Sequence, residues 1–122
     1  MKNLLKFSGI SLALTATLGM QTLSFAAEKE AQSIKGEIVD LMCYLDHGAK
    51  GEGHKGCAQT CIKKGGPVGL LSGEQLYLVV GDHAPMNEEL AAKAAQTITL
   101  KGIVVEKNGI KMIKNAQIEK SE

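Results

Sequence analysis

Three cysteines and two histidines lie within nineteen residues of this 122-residue chain, which has no other cysteine. They are Cys43, His47, His54, Cys57 and Cys61. His54, Cys57 and Cys61 are spaced i, i+3, i+7, which would put all three on one face of an α-helix. Three thiols and one imidazole are the donors of a Cys3His metal site. We therefore predict that Cys43, His54, Cys57 and Cys61 bind a soft metal ion, copper(I) or zinc.

The same cysteines allow two other kinds of chemistry. A disulfide from Cys43 to Cys57 or Cys61 would stabilise the folded state by about 3 kcal/mol in the chain-entropy model. It would leave one thiol unpaired. Thiol redox chemistry is less well supported, because the spacing is C-x3-C and not the C-x2-C of thioredoxin-like motifs. His47 is either a spare ligand or a solvated loop residue.

The first 26 residues have the pattern of a secretory signal peptide. Lys2 and Lys6 precede an apolar stretch, and small residues, Ser24 and Ala26, flank Phe25 before Ala27. We expect export to the periplasm or the medium, where disulfides form and persist, and no membrane span after cleavage. The signal takes two of the 14 basic residues, leaving 12 lysines against 13 acidic residues. A nearly neutral domain with no arginine and few aromatic residues is a poor match for nucleic acid.

Two further classes of function have little support in the sequence. The segment GEGHKG (51–56) fits the G-x-G-x-x-G pattern, but no βαβ unit surrounds it, so we expect no nucleotide cofactor. Serines and acids are not arranged with histidines as a catalytic set, so we expect a binding protein and not an enzyme.

Hydrophobic alternation and turn residues predict a mainly β domain. We divide the chain into the signal peptide (1–26), a polar leader (27–34) and one OB-like domain (35–120). The predicted order is a strand ending near Cys43, a glycine-rich loop (45–56), a short cysteine-containing helix (57–64), two strands (67–72 and 75–81), a longer helix (88–96) capped by Asn87, and a two-stranded hairpin turning at Asn108-Gly109. Five strands with a helix between the third and fourth is the order of a small OB-like barrel.

Three segments of the chain resemble a group of small exported bacterial proteins with an OB-like fold and a C...H..C...C motif. They are GEIVDLMCYL, the stretch G..H..CAQTCIKKGGPVGLL, and TITLKGIVVEKNGIKMI. The resemblance covers about residues 35–118 and implies the architecture, but it implies no activity. From the residues we predict an exported module that binds, buffers or delivers a soft metal ion, with another exported protein as a possible partner. The alternative is a disulfide-stapled OB-fold interaction domain without metal.

Overall fold

The computed structural model describes residues 28–120, so the predicted signal peptide (1–26) lies outside the described residues. Residues 28–120 form five strands and three α-helices in this order: β1 (Ala31–Asp40), α1 (Leu41–His47), a 3-10 helix (Glu52–His54), α2 (Lys55–Lys63), β2 (Val68–Ser72), β3 (Gln75–Val79), α3 (Asn87–Ala91), β4 (Thr97–Lys107) and β5 (Ile110–Ile118). Among the described residues, none of the helices has the length and hydrophobicity needed to cross a bilayer.

The strands form a closed barrel in the order β1-β2-β3-β5-β4, with β4 returning to pair with β1. All pairs are antiparallel except β3 with β5. This order, with α3 between β3 and β4, confirms the predicted mainly β, OB-like fold. The first part of β1 pairs with β4 and its last part pairs with β2, and the change of partner falls near Gly36. A Cβ added to Gly36 would lie 2.6 Å from the carbonyl oxygen of Leu71. Only glycine allows the strands to approach so closely there.

The barrel interior is filled by aliphatic side chains from the strands, and two helices cover it. Ile38, Leu100 and Ile113 are fully buried inside the barrel, and Ile62 from α2 and Leu90 from α3 are equally buried against them. Complete burial of such a side chain contributes about 1.5–3 kcal/mol. The two helices are therefore held to the barrel by the same core that stabilises the sheet.

The predicted turn between β4 and β5 is confirmed. Asn108 and Gly109 have φ values of 52° and 83°, and Lys107 pairs with Ile110 across them. Positive φ at both central residues is the requirement of a type I′ turn, which matches the twist of the strands that it joins.

Several element boundaries differ from the predicted ones. The segment predicted as a glycine-rich loop (45–56) contains the end of α1, the 3-10 helix and the start of α2. Residues 31–34, assigned to the polar leader, belong to β1, because β4 supplies hydrogen-bonding partners as far back as Ala31. β1 ends at Asp40, before Cys43, because a helix begins there. α3 ends at Ala91, so it is shorter than the predicted helix and shorter than α2.

Candidate metal centre

All three cysteines lie in an excursion of the chain between β1 and β2, residues 41–67. The excursion begins and ends at one residue pair of the sheet, Asp40 and Val68. The N–H of Leu41 donates to the carbonyl of Pro67 at 3.0 Å and closes its base. The barrel therefore holds both ends of the segment in fixed positions.

Asp40 places Cys43 in the first turn of α1. Its Oδ2 accepts a hydrogen bond from the N–H of Cys43 at 3.1 Å, which is the contact of an N-cap residue. Gly48, in the left-handed conformation (φ 71°), ends the helix and donates to the carbonyl of Tyr44. The prediction that Cys43 ends a strand is therefore wrong, since the cap converts this stretch to helix.

The C-terminal end of α2 fixes Cys61. Gly65 donates to the carbonyl of Ile62 and Gly66 donates to the carbonyl of Cys61, both at 3.0 Å. This pair of bonds, with Gly65 at a φ of 96°, is the Schellman motif that ends many helices. Because Ile62 is fully buried, the last turn of α2 cannot rotate without disturbing the core.

Asn87 holds the same helix end from α3. Its Nδ2 donates to the carbonyls of Ile62 and Gly66, each at 2.7 Å. The sequence suggests that Asn87 caps its own helix, but the N-cap position belongs to Met86, and no side-chain cap bond is formed there. The prediction is wrong because these carbonyls come close only in the folded chain.

The Sγ atoms of Cys43, Cys57 and Cys61 all lie within 4.8 Å of one another. Three sulfurs bound to one ion at about 2.3 Å are roughly 3.8 Å apart, so small side-chain rotations would close the cluster around an ion. All three cysteines are free thiols, so the alternative disulfide is not formed in this structure. Cys57 is exposed, whereas Cys43 and Cys61 are half-buried, so the cluster opens to solvent beside Cys57.

His54, the fourth predicted ligand, does not belong to this group of atoms. α2 begins at Lys55, and His54 is the last residue of the preceding 3-10 helix, with φ −107° and ψ 1°. The helical spacing that places Cys57 and Cys61 together therefore does not extend to His54. Its exposed ring lies beside that of His47, with ring centroids 6.1 Å apart.

A small cavity of about 10 Å³ lies next to the cluster, lined among others by Asp40, Cys43, His54 and Cys57. Sites for small organic molecules have volumes of roughly 300–1,000 Å³, so this cavity suits a single ion or water. The carboxylate of Glu37 accepts the N–H of Gly51 and ties its rim to β1. Asp40 is buried, and its Oδ1 has no hydrogen-bond partner among the described residues.

The surroundings favour the protonated form of two thiols in the metal-free chain. A hydrogen bond to the Asp40 carboxylate, partial burial and the charge of Asp40 raise the pKa of Cys43 from 9.0 to about 12. Burial, then the neighbouring Cys57 and Asp40, raises the pKa of Cys61. A cation would reverse this balance, because it stabilises thiolates directly.

In comparisons with protein-family models, curated proteins and solved structures, no match to the chain was found. The resemblance to small exported bacterial proteins therefore stays a prediction. What the chain can do chemically is argued below from the donor atoms that the fold brings together.

Proposed function

We propose that this protein is an exported metal-binding module that holds one soft ion, copper(I) or zinc, through Cys43, Cys57 and Cys61. The proximity of the three Sγ atoms, all within 4.8 Å, carries the proposal. Thiolates are preferred ligands of both ions, and the adjacent cavity has the size of an ion. Binding, buffering or delivery of the ion is the role that such a site supports.

The rigidity of the two helices supports this assignment. The N–H of Cys43 makes the N-cap contact with Asp40. Cys61 belongs to the Schellman motif at the end of α2 and precedes the buried Ile62. Donors whose backbone positions are fixed before binding lose less conformational entropy when the ion enters. The exposed side of Cys57 gives the ion a route in and out, as buffering or delivery requires.

Export is the second part of the proposal, and the pattern of residues 1–26 supports it. We expect cleavage after Ala26, and the intact mass of protein recovered from the cell envelope tests it. A chain that still begins at Met1 would contradict this part without affecting the metal site.

The metal site is tested by native mass spectrometry of reduced protein, loaded separately with zinc and with copper(I), before and after a chelator. We expect one ion per chain, and thiols that resist alkylation until the chelator is added. Cys57→Ser and Cys61→Ser should each abolish stoichiometric binding. Gln59→Ser makes a similar change on the same helix and should bind as the wild type does.

Two outcomes would contradict the proposal. One is a reduced chain that binds neither ion although its thiols react freely. The other is protein isolated without reductant that carries no metal, has a mass two daltons below the reduced chain and exposes a single reactive thiol. That result would favour the disulfide-stapled interaction domain.

A further inference from the structure

We infer that His47 and His54 form a second metal-binding station at the mouth of the thiol cluster, which takes up a divalent ion and passes it inward. The inference rests on the proposed function, because the destination of the ion is the cysteine cluster. It concerns a donor set that contains no sulfur.

The two histidines extend the cluster toward solvent along both helical segments. His47 follows Cys43 by four residues on α1, so both lie on one face of that helix. His54 immediately precedes α2, which carries Cys57, and lines the same cavity as Cys43 and Cys57. Two exposed imidazoles thus lie on the same two segments of the chain that carry the sulfurs, with His54 beside the cavity next to the cluster.

The ring positions are close to those of two ligands of one ion. The ring centroids of His47 and His54 are 6.1 Å apart, and the planes are tilted by 59°. A tetrahedral ion about 2.0–2.1 Å from one nitrogen of each ring holds the centroids roughly 5–5.5 Å apart, so the two rings would have to approach by about 1 Å. Rotation of the exposed side chains can supply an approach of that size.

Asp46 prepares one of the rings for binding. Its Oδ2 lies 3.2 Å from Nδ1 of His47, and this contact favours the tautomer with the proton on Nδ1. Nε2 then presents its lone pair to an ion. A carboxylate behind the ligating imidazole is the usual outer-shell arrangement of protein zinc sites.

The difference in zinc affinity between the imidazole pair and the thiol cluster gives the transfer a direction. Both imidazoles are exposed, and two neutral nitrogens bind zinc less tightly than three thiolates do. An ion caught by the histidines is therefore released readily, and the cluster beside it is the tighter site. We expect the pair to govern how fast the cluster is loaded, while the final affinity of the cluster stays the same.

The test uses the reduced chain titrated with zinc, observed through the imidazole nitrogen resonances. The first equivalent should protect the thiols from alkylation and leave the histidine signals unchanged. The second equivalent of zinc should shift the nitrogen resonances of His47 and His54 together. His47→Ala and His54→Ala should each abolish that shift, whereas His83→Asn, in the turn before α3, should keep it.

Loading of the cluster is followed by stopped-flow absorbance of the metal–thiolate bond. Either alanine variant should load severalfold more slowly than wild type and His83→Asn, with the affinity of the first equivalent unchanged. Asp46→Ala should lower the affinity for the second equivalent of zinc by about tenfold or more, as loss of an outer-shell partner does.

In the chain with its three cysteines intact, three results would overturn the inference. The second equivalent could leave both rings unchanged, loading rates could be equal in all variants, or His54 could shift with the first equivalent, which would make it the fourth ligand of the cluster. Failure of the proposed function gives a different result, because the thiols then stay reactive at every zinc concentration. A zinc shift of both rings in the Cys43→Ser/Cys57→Ser/Cys61→Ser chain would still support the histidine station, and its absence there would refute it.

Discussion

The carboxylate of Asp40 accepts a hydrogen bond from the backbone N–H of Cys43 at 3.1 Å, and the same carboxylate is the main cause of the raised pKa of the Cys43 thiol. One buried side chain therefore both positions a donor and keeps it protonated while the site is empty. A donor in this state is protected from oxidation, because the thiolate is the reactive form.

The first prediction concerns stability at high pH. Since the pKa of Cys43 is raised from 9.0 to about 12, the folded chain keeps a proton that the unfolded chain loses between those values. The stabilisation is fully present below pH 9 and is lost as the pH rises toward 12. The free energy of unfolding of the reduced, metal-free chain in urea should fall between pH 8 and pH 10, and it should fall less in Cys43→Ser than in wild type. Equal losses would contradict the prediction.

Metal binding should release protons, because Cys43 and Cys61 are protonated in the empty site. The affinity should fall as the pH is lowered, by about tenfold per pH unit for each proton displaced. Calorimetry in two buffers of different ionisation enthalpy measures the number of protons. The alkylated chain serves as the control, and binding without proton release would argue against thiolate ligands.

Asn87→Ala should destabilise the domain by about 1–3 kcal/mol, because two hydrogen bonds to buried or half-buried carbonyls are lost. Asn87→Asp should cost more, since a carboxylate cannot donate to the carbonyls of Ile62 and Gly66. Asn115→Asp is the matched control on an exposed position of β5. Denaturant unfolding measures all three, and an Asp variant as stable as wild type would contradict the contact.

Ala95→Gly should stabilise the protein, although most substitutions to glycine destabilise. Ala95 has a φ of 62°, which costs an L-residue about 1–2 kcal/mol, and its N–H is held there by the carbonyl of Ile38 at 2.9 Å. The net gain should be up to about 1 kcal/mol after the added entropy of the unfolded chain. Ala92→Gly, at a φ of −66°, is the control and should lose stability. Thermal unfolding should give shifts of opposite sign.

Gly109→Val should destabilise the barrel by about 1–2 kcal/mol, because its φ of 83° is strained for a β-branched residue. Asn108→Gly in the same turn should be tolerated, since glycine accepts the φ of 52° found there. The melting temperatures of the two variants measure the difference. A tolerated valine would mean that the turn is not held in this conformation.

The strand order could be predicted because local signals and the tertiary structure agree. Asn108-Gly109 favours a type I′ turn by itself, and Gly73 starts the turn between β2 and β3 with a φ of 61°. The apolar residues on either side fill the barrel. Such hairpins need no information from distant parts of the chain.

The candidate site could be predicted only in part. The cysteine types and spacing indicate a donor cluster, but α1 was missed although Asp40 and Gly48 are ordinary signals for the start and end of a helix. The place of His54 depends on where α2 begins, which a glycine-rich segment leaves undetermined. The role of Asn87 depends on acceptors 21 and 25 residues away in the chain, which local sequence patterns do not contain.

The excursion that carries the donors leaves the sheet and returns to it through the pair Asp40 and Val68. An insertion that leaves and re-enters the sheet at one residue pair can change in length or in donor residues without altering the register of any strand. The barrel and the chemistry beside it are therefore able to evolve at separate rates. Ala58 and Ile62 are the exceptions, because they belong to the insertion and also to the hydrophobic core. Grafting residues 41–67 onto another barrel of this topology would accordingly require an apolar surface that packs against these two side chains.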